Sequence, residues 1–247
     1  MEAWRTWRIF TISLVFIFFA LLSPIMVRYI NELFALLMSP EELAMMGVVL
    51  IPPHWSTSYI SLFGNLNQIG MIALILTVMG VVVAEKRRGT AALMMVKGLK
   101  HSTLILVKFT ALSLIVFATL LVTVLVAHFL TVALFGAGAN IDELLTSLVL
   151  YQIFAMMMLS LIILASTIAN SSAMAAVFGF LGFMALSIPA SLPRIREAFP
   201  YTISFRAQEV VSMGYFSDML WANILTAIST TALFLLISIL VLRKKEL

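Results

Sequence analysis

The chain has 247 residues, of which 63% are hydrophobic and only 11% are charged. A soluble domain of this size carries about 25% charged residues, so most of this chain must lie in lipid. It has no cysteine, which excludes disulfides and thiolate metal sites. Its net charge of +4 falls between apolar segments, as a membrane topology places it, and so does not point to nucleic acid.

A bilayer core of roughly 30 Å needs about 20 apolar residues per helix. Six stretches reach that length, near residues 9–28, 59–84, 103–135, 144–168, 172–190 and 219–242. The expected fold is therefore an all-α polytopic membrane protein, one transmembrane domain over 1–247. The first stretch follows a basic "MEAWRTWR" that resembles a signal-peptide start. Its apolar run is long, however, and "ALLSPIMVRYI" offers no small-x-small cleavage site, so an uncleaved span is expected. Trp4 and Trp7 beside Arg5 and Arg8 suit an interfacial anchor. Ser39-Pro40-Glu41-Glu42 then reads as a helix start, with an N-cap, Pro at the first position and acids in the first turn. "IPPHW" at 51–55 is a stiff turn back to the membrane.

The second span carries Asn65, Asn67 and Gln68, with Asn65 and Gln68 on one helical face at i, i+3. After it comes the densest charge of the chain, "AEKRRGTAALMMVKGLKHSTLILVKF". Thr90 is a good N-cap and Gly98 a good C′ residue, with Lys97 in the last turn where a cation suits the helix dipole. Residues 91–97 would form about two turns, roughly 10 Å long. Most of that short helix is apolar (Ala91, Ala92, Leu93, Met94, Met95, Val96) and needs something to bury against. Ser102 then caps the third span, and Lys108 lies just inside its end. Basic clusters also mark topology and attract anionic lipid in any polytopic protein.

Thr119, Thr123 and His128 lie along the third span, Gln152 in the fourth and Asn223 in the sixth. Only Asn170-Ser171-Ser172 separates the fourth from the fifth, and a single helix of their combined length would not suit a bilayer. Each polar residue reads either as cavity lining or as interhelical glue worth about 1 kcal/mol. The cavity reading is kept for Asn65, Asn67, Gln68, Thr123, Gln152 and Asn223. No metal is expected. There is no Cys to join His128; His54 and His101 fall on opposite sides, and neighbouring methionines such as Met156-Met157-Met158 point in different directions on a helix.

Sorting the cations by side gives an orientation. Arg5, Arg8, Lys86, Arg87, Arg88, Lys97, Lys100, Lys108, Arg243, Lys244 and Lys245 are eleven against three acids, Glu2, Glu85 and Glu246. The other side holds four arginines (28, 194, 196, 206) against eight acids. The positive-inside rule places both termini in the cytoplasm of a cell-membrane protein. Apart from Lys108, no charge lies well inside a span, which argues against an ion-coupled transporter or cation channel. "GLKHST" at 98–103 has the wrong spacing for a phosphate-binding loop and no strand before it. An intramembrane protease is unsupported, since nothing basic accompanies Glu41 and Glu42 at depth.

The segment from Glu85 to Lys108 resembles the stretch after the second span in permeases of type-2 ATP-binding-cassette transporters. Glu85, Gly89, Thr90 and Lys108 stand in matching places. The turn that often holds Pro in that family reads Lys97-Gly98-Leu99 here. "SIPASLPRIREAFPYTISF" before the last span is similar to a region that forms a re-entrant outer hairpin in the family. The resemblance implies that 85–102 is a coupling loop seated in a separate ATPase. Glu85, Arg87, Arg88, Gly89, Thr90, Lys97 and Gly98 would form the ATPase-coupling element, and Lys108 would sit at a cytoplasmic gate. It further implies two ATPase copies that bind ATP and Mg, a second permease chain of the same or a sister kind, surrounding lipid, and no cofactor or catalytic residue in this chain. The cargo would be hydrophobic or amphipathic. The competing reading is a non-transporting membrane scaffold that docks a cytosolic partner through the same loop.

Overall fold

The computed structural model describes residues 8–39, 45, 52–90, 96, 98, 100–192 and 197–244. Among them there is no strand, and six helices are long and apolar enough to cross a bilayer. One buried core runs through all six, from Ile12 to Leu242. The expected segments 39–42 and 91–97 lie largely outside the described residues.

The first span, Arg8–Leu37, runs past its expected end and through Pro24. It packs along the second and third spans. The second span is composite. His54 caps its start by accepting from the Ser56 N–H at 3.3 Å, and an α-helix covers Trp55–Asn65. A π turn follows over Leu66–Gly70, then α-helix again over Met71–Val78. The chain unwinds over 79–82 and closes with a short helix, Val83–Arg87. At Gly70 the π turn lies close to the first span: a Cβ there would lie 3.3 Å from a Phe16 ring carbon.

The third span, His101–Phe135, ends at Gly136, whose φ of +69° is the left-handed cap that glycine accepts without strain. Asn140 and Glu143 then form a reciprocal capping box that starts the fourth span, Ile141–Ile168. This span is the axis of the bundle. Its most apolar stretch is 78% buried, against 22% for the fifth and sixth spans. The third, fifth and sixth spans and a short helix, Ile203–Met213, all pack around it. An aromatic column strengthens that axis: Phe63 meets Tyr151 at 5.0 Å, Tyr151 meets Phe154 at 5.4 Å and Phe154 meets Tyr201 at 5.1 Å between ring centroids. Such pairs add about 1 kcal/mol each beyond the area they bury.

The break at Asn170 separates two helices as expected. Ser171 accepts from the Met174 N–H at 3.2 Å and opens the fifth span, Ser172–Ala190. The segment before the sixth span (Leu220–Lys244) contains a 3-10 turn, Pro200–Thr202, and the 11-residue helix Ile203–Met213. That helix is too short to cross a bilayer. It lies against the fourth span and the first part of the second, at the end of the bundle opposite residues 83–90.

Small residues let the fifth span approach closely. A Cβ at Gly179 would lie 3.2 Å from Ile75 and one at Gly182 would lie 2.8 Å from Leu161. We expect Gly182→Val to force the fourth and fifth spans apart and to destabilise the protein by about 1–3 kcal/mol. Thermal unfolding in detergent would read this as a lowered midpoint, with Gly64→Ala, where a Cβ meets nothing within 4 Å, as the control.

Candidate functional site

The unwound turn at 79–82 creates a problem that the rest of the basic end solves. Glu85 N–H bonds to the Val82 carbonyl rather than to that of Val81, which leaves the Val81 carbonyl and two successive N–H groups, of Val82 and Val83, outside the helical ladder. In a membrane each such orphan costs several kcal/mol unless a partner is found. Ser166, near the end of the fourth span, accepts from both N–H groups at 3.0 and 3.1 Å. Lys108 of the third span donates to the Val81 carbonyl at 2.8 Å. Its ammonium also pairs with Glu85 at 2.6 Å. Glu85 is only 8% exposed, so this carboxylate faces into the bundle and not into solvent.

Lys86 completes the arrangement. Its ammonium donates to the carbonyls of Thr167 and Ala169 at 2.6 and 3.0 Å. Those groups lie at the C-terminal end of the fourth span, where carbonyls lack helical partners and a cation complements the helix dipole. Val83 packs with Ala169 and Ala175 in a small apolar cluster beside it. Four chain segments therefore meet at one place: the end of the second span, the start of the third, the end of the fourth and the start of the fifth.

Outward of this anchor, Arg87 and Arg88 are exposed. Gly89 turns the chain with φ +70° and Gly98 does so with φ +89°. The Thr90 hydroxyl donates to the Glu85 carbonyl at 3.2 Å. Lys97 lies outside the described residues. Thus Glu85, expected in one docking element with Arg87 and Arg88, sits inside the bundle with Lys108, the residue expected at a gate, while Arg87 and Arg88 lie outside.

The polar residues of the spans also divide. Asn65 donates to Ser23 of the first span at 3.2 Å. The wider winding of the π turn puts Gln68 on the exposed side and buries Asn67. Asn65 and Gln68 therefore do not act together as a regular helix would have them. Neither amide atom of Asn67 meets a hydrogen-bond partner among the described residues. Thr123 donates to the Thr119 carbonyl of its own helix at 2.7 Å. Gln152 donates to the Ser113 carbonyl at 3.1 Å and ties the fourth span to the third. Asn223 is fully buried; it donates to the Glu197 carbonyl at 2.8 Å and accepts from Arg206 at 3.3 Å. It pins the segment before the sixth span.

Three participants were missing from the sequence reading. Ser166 looked like an ordinary hydroxyl in an apolar run, and Lys86 was counted only for its charge. Tyr59 was not noticed, yet its hydroxyl meets His128 Nδ1 at 2.7 Å and accepts from the Ala139 N–H at 3.4 Å. The one available signal for the break was Gly80 inside "VMGVVV", since glycine weakens a helix interior by about 1 kcal/mol. No protein-family model matches the chain, and no curated protein sequence matches it.

Removing one member of a buried ion pair strands the other. Lys108→Met should therefore cost about 3–5 kcal/mol, and Glu85→Gln added to it should recover part of the loss. A double-mutant cycle by thermal unfolding checks this; simple additivity would show that the two groups do not act as a pair.

Proposed function

We propose that the chain is the permease subunit of an ATP-driven type-2 ATP-binding-cassette exporter in the cell membrane. It would lie with both termini and residues 83–101 in the cytoplasm, where a separate ATPase docks on that segment. The observation that carries this reading is the anchor at Glu85, Lys86, Lys108 and Ser166. A loop that served only to set topology by its charge would need exposed cations and no buried support. Here a carboxylate, two ammonium groups and a serine hold the base of the loop, while Arg87 and Arg88 face outward. Arginines on a rigid base are suited to bidentate pairing with carboxylates of a partner protein.

Six spans form half of a translocation path, so a second permease chain would complete it, and transport would proceed by alternating access. ATP and Mg would belong to two ATPase copies. The cargo would be hydrophobic or amphipathic, because the ion pairs described lie toward the ends of the bundle, at Lys108–Glu85, Arg206–Glu209 and Arg28–Glu32, and the middle of the spans is poor in charge. Among the polar residues of the spans, Gln68 and Asn67 fit the path best: one is exposed and the other has an amide with no partner among the described residues. Thr123, Gln152 and Asn223 spend their described hydrogen bonds inside the bundle, which suits helix-to-helix adhesion.

Affinity purification from native membranes in mild detergent tests this reading. A stoichiometric ATPase should accompany the chain, and Arg87→Glu with Arg88→Glu should lower its recovery at least tenfold, about 1.4 kcal/mol. A clean oligomer with no nucleotide-binding partner would overturn it in favour of a scaffold. Asn67 offers a second check. Asn67→Val should raise stability by about 1–3 kcal/mol by removing a buried orphan amide, while slowing transport in reconstituted vesicles. Unchanged transport would remove Asn67 from the path.

A further inference from the structure

Residues 83–87 follow the second span in sequence and keep backbone bonds to the turn, from Ala84 N–H to the Gly80 carbonyl and from Lys86 N–H to the Val82 carbonyl. Their side-chain support, however, comes from other spans, with Lys108 of the third holding Glu85. The covalent link to Met71–Val78 passes through the non-helical turn at 79–82. A turn without a continuous hydrogen-bond ladder bends more easily than a helix. Against it stand two N–H bonds to Ser166 and two ammonium bonds from Lys86, all ending on the last turn of the fourth span. Val83 packs on Ala169 and Ala175, at the junction of the fourth and fifth spans. The fourth span in turn is the axis about which the bundle packs.

We propose that Ser166 and Lys86 are positioning residues that make the docking segment a rigid extension of the fourth and fifth spans, mechanically separated from the second span that precedes it. A push on the segment is then delivered to the bundle axis, and the turn at 79–82 absorbs the difference in motion. The role given to the push rests on the permease reading. The rigid attachment itself does not.

The absence of native cysteine makes the test clean, because any introduced pair is unique. Spin labels at Arg87→Cys and Ala173→Cys, both exposed positions, report the attachment to the fifth span. Labels at Arg87→Cys and Ile72→Cys, likewise exposed, report the link to the second. In the purified chain the Arg87–Ala173 distance distribution should be narrow, and Ser166→Ala should broaden it, with Ser166→Thr restoring it through its retained hydroxyl. Lys86→Met removes the second tie at a half-exposed position, so it keeps the test available if Ser166→Ala does not fold. A distribution that neither Ser166→Ala nor Lys86→Met changes would overturn the proposal. In the complex with the ATPase, with the label moved to Ala84→Cys so that Arg87 and Arg88 stay intact, nucleotide should shift the Ala84–Ile72 distance and leave Ala84–Ala173 fixed; the reverse result would also overturn it. Failure to recover any ATPase sinks the permease reading alone, since the measurement on the isolated chain stands apart from it.

Discussion

A helix that breaks inside a membrane must return its freed backbone groups to hydrogen bonds, because lipid offers none. That constraint governs the basic end of this protein. The break at 79–82 leaves the Val82 and Val83 donors and the Val81 acceptor to side chains of two other helices, the fourth span and the third. Ser166 takes the donors, Lys108 takes the acceptor, and Glu85 neutralises the ammonium that was brought in for the purpose. Each partner is buried only because the others are present. A lysine at this depth without Glu85 would be an isolated charge, and a serine there without the two N–H groups would be a hydroxyl with little to accept.

The opposite end is held by another kind of bond. Asn223 and Arg206 fix the segment before the sixth span, and the Asn140–Glu143 box starts the fourth span beside Gly214, where a Cβ would lie 2.8 Å from Glu143. The Tyr59–His128 contact joins the second and third spans nearby. These bonds involve small loops, the Glu143 carboxylate and the partly buried Arg206–Glu209 pair. Between the ends the bundle relies on apolar and aromatic packing around the fourth span. Charge is thus kept to the two ends, basic on balance at one and acidic on balance at the other, and the regular middle is left nearly free of it.

Span number and the break at Asn170 were legible because they depend on local facts: the length of apolar runs and a cap residue before a helix. Ends were less so. The first span continues to Leu37 because nothing in "INELFALL" stops a helix, although polarity rises there. The anchor was half legible. Lys108 was conspicuous as a charge inside an apolar run, and Glu85 as the acid before the basic cluster, but nothing local says that they meet across 23 positions. Ser166 was invisible, because hydroxyls on membrane helices usually bond to their own backbone, as Thr167 does at 2.8 Å. The π turn was also hidden, and so the helical spacing that grouped Asn65 with Gln68 did not apply.

That π turn holds one residue more than an α-helical path between the same two points would require. The wider winding absorbs that residue, so Trp55, Tyr59 and Phe63 before the turn and Met71–Val78 after it keep the directions that a plain α-helix would give them. Buried Asn67 and exposed Gln68 sit inside the widened turn. The polar positions of this span are thereby free to face differently from the helix on either side, while the aromatic edge against the fourth span stays where it is.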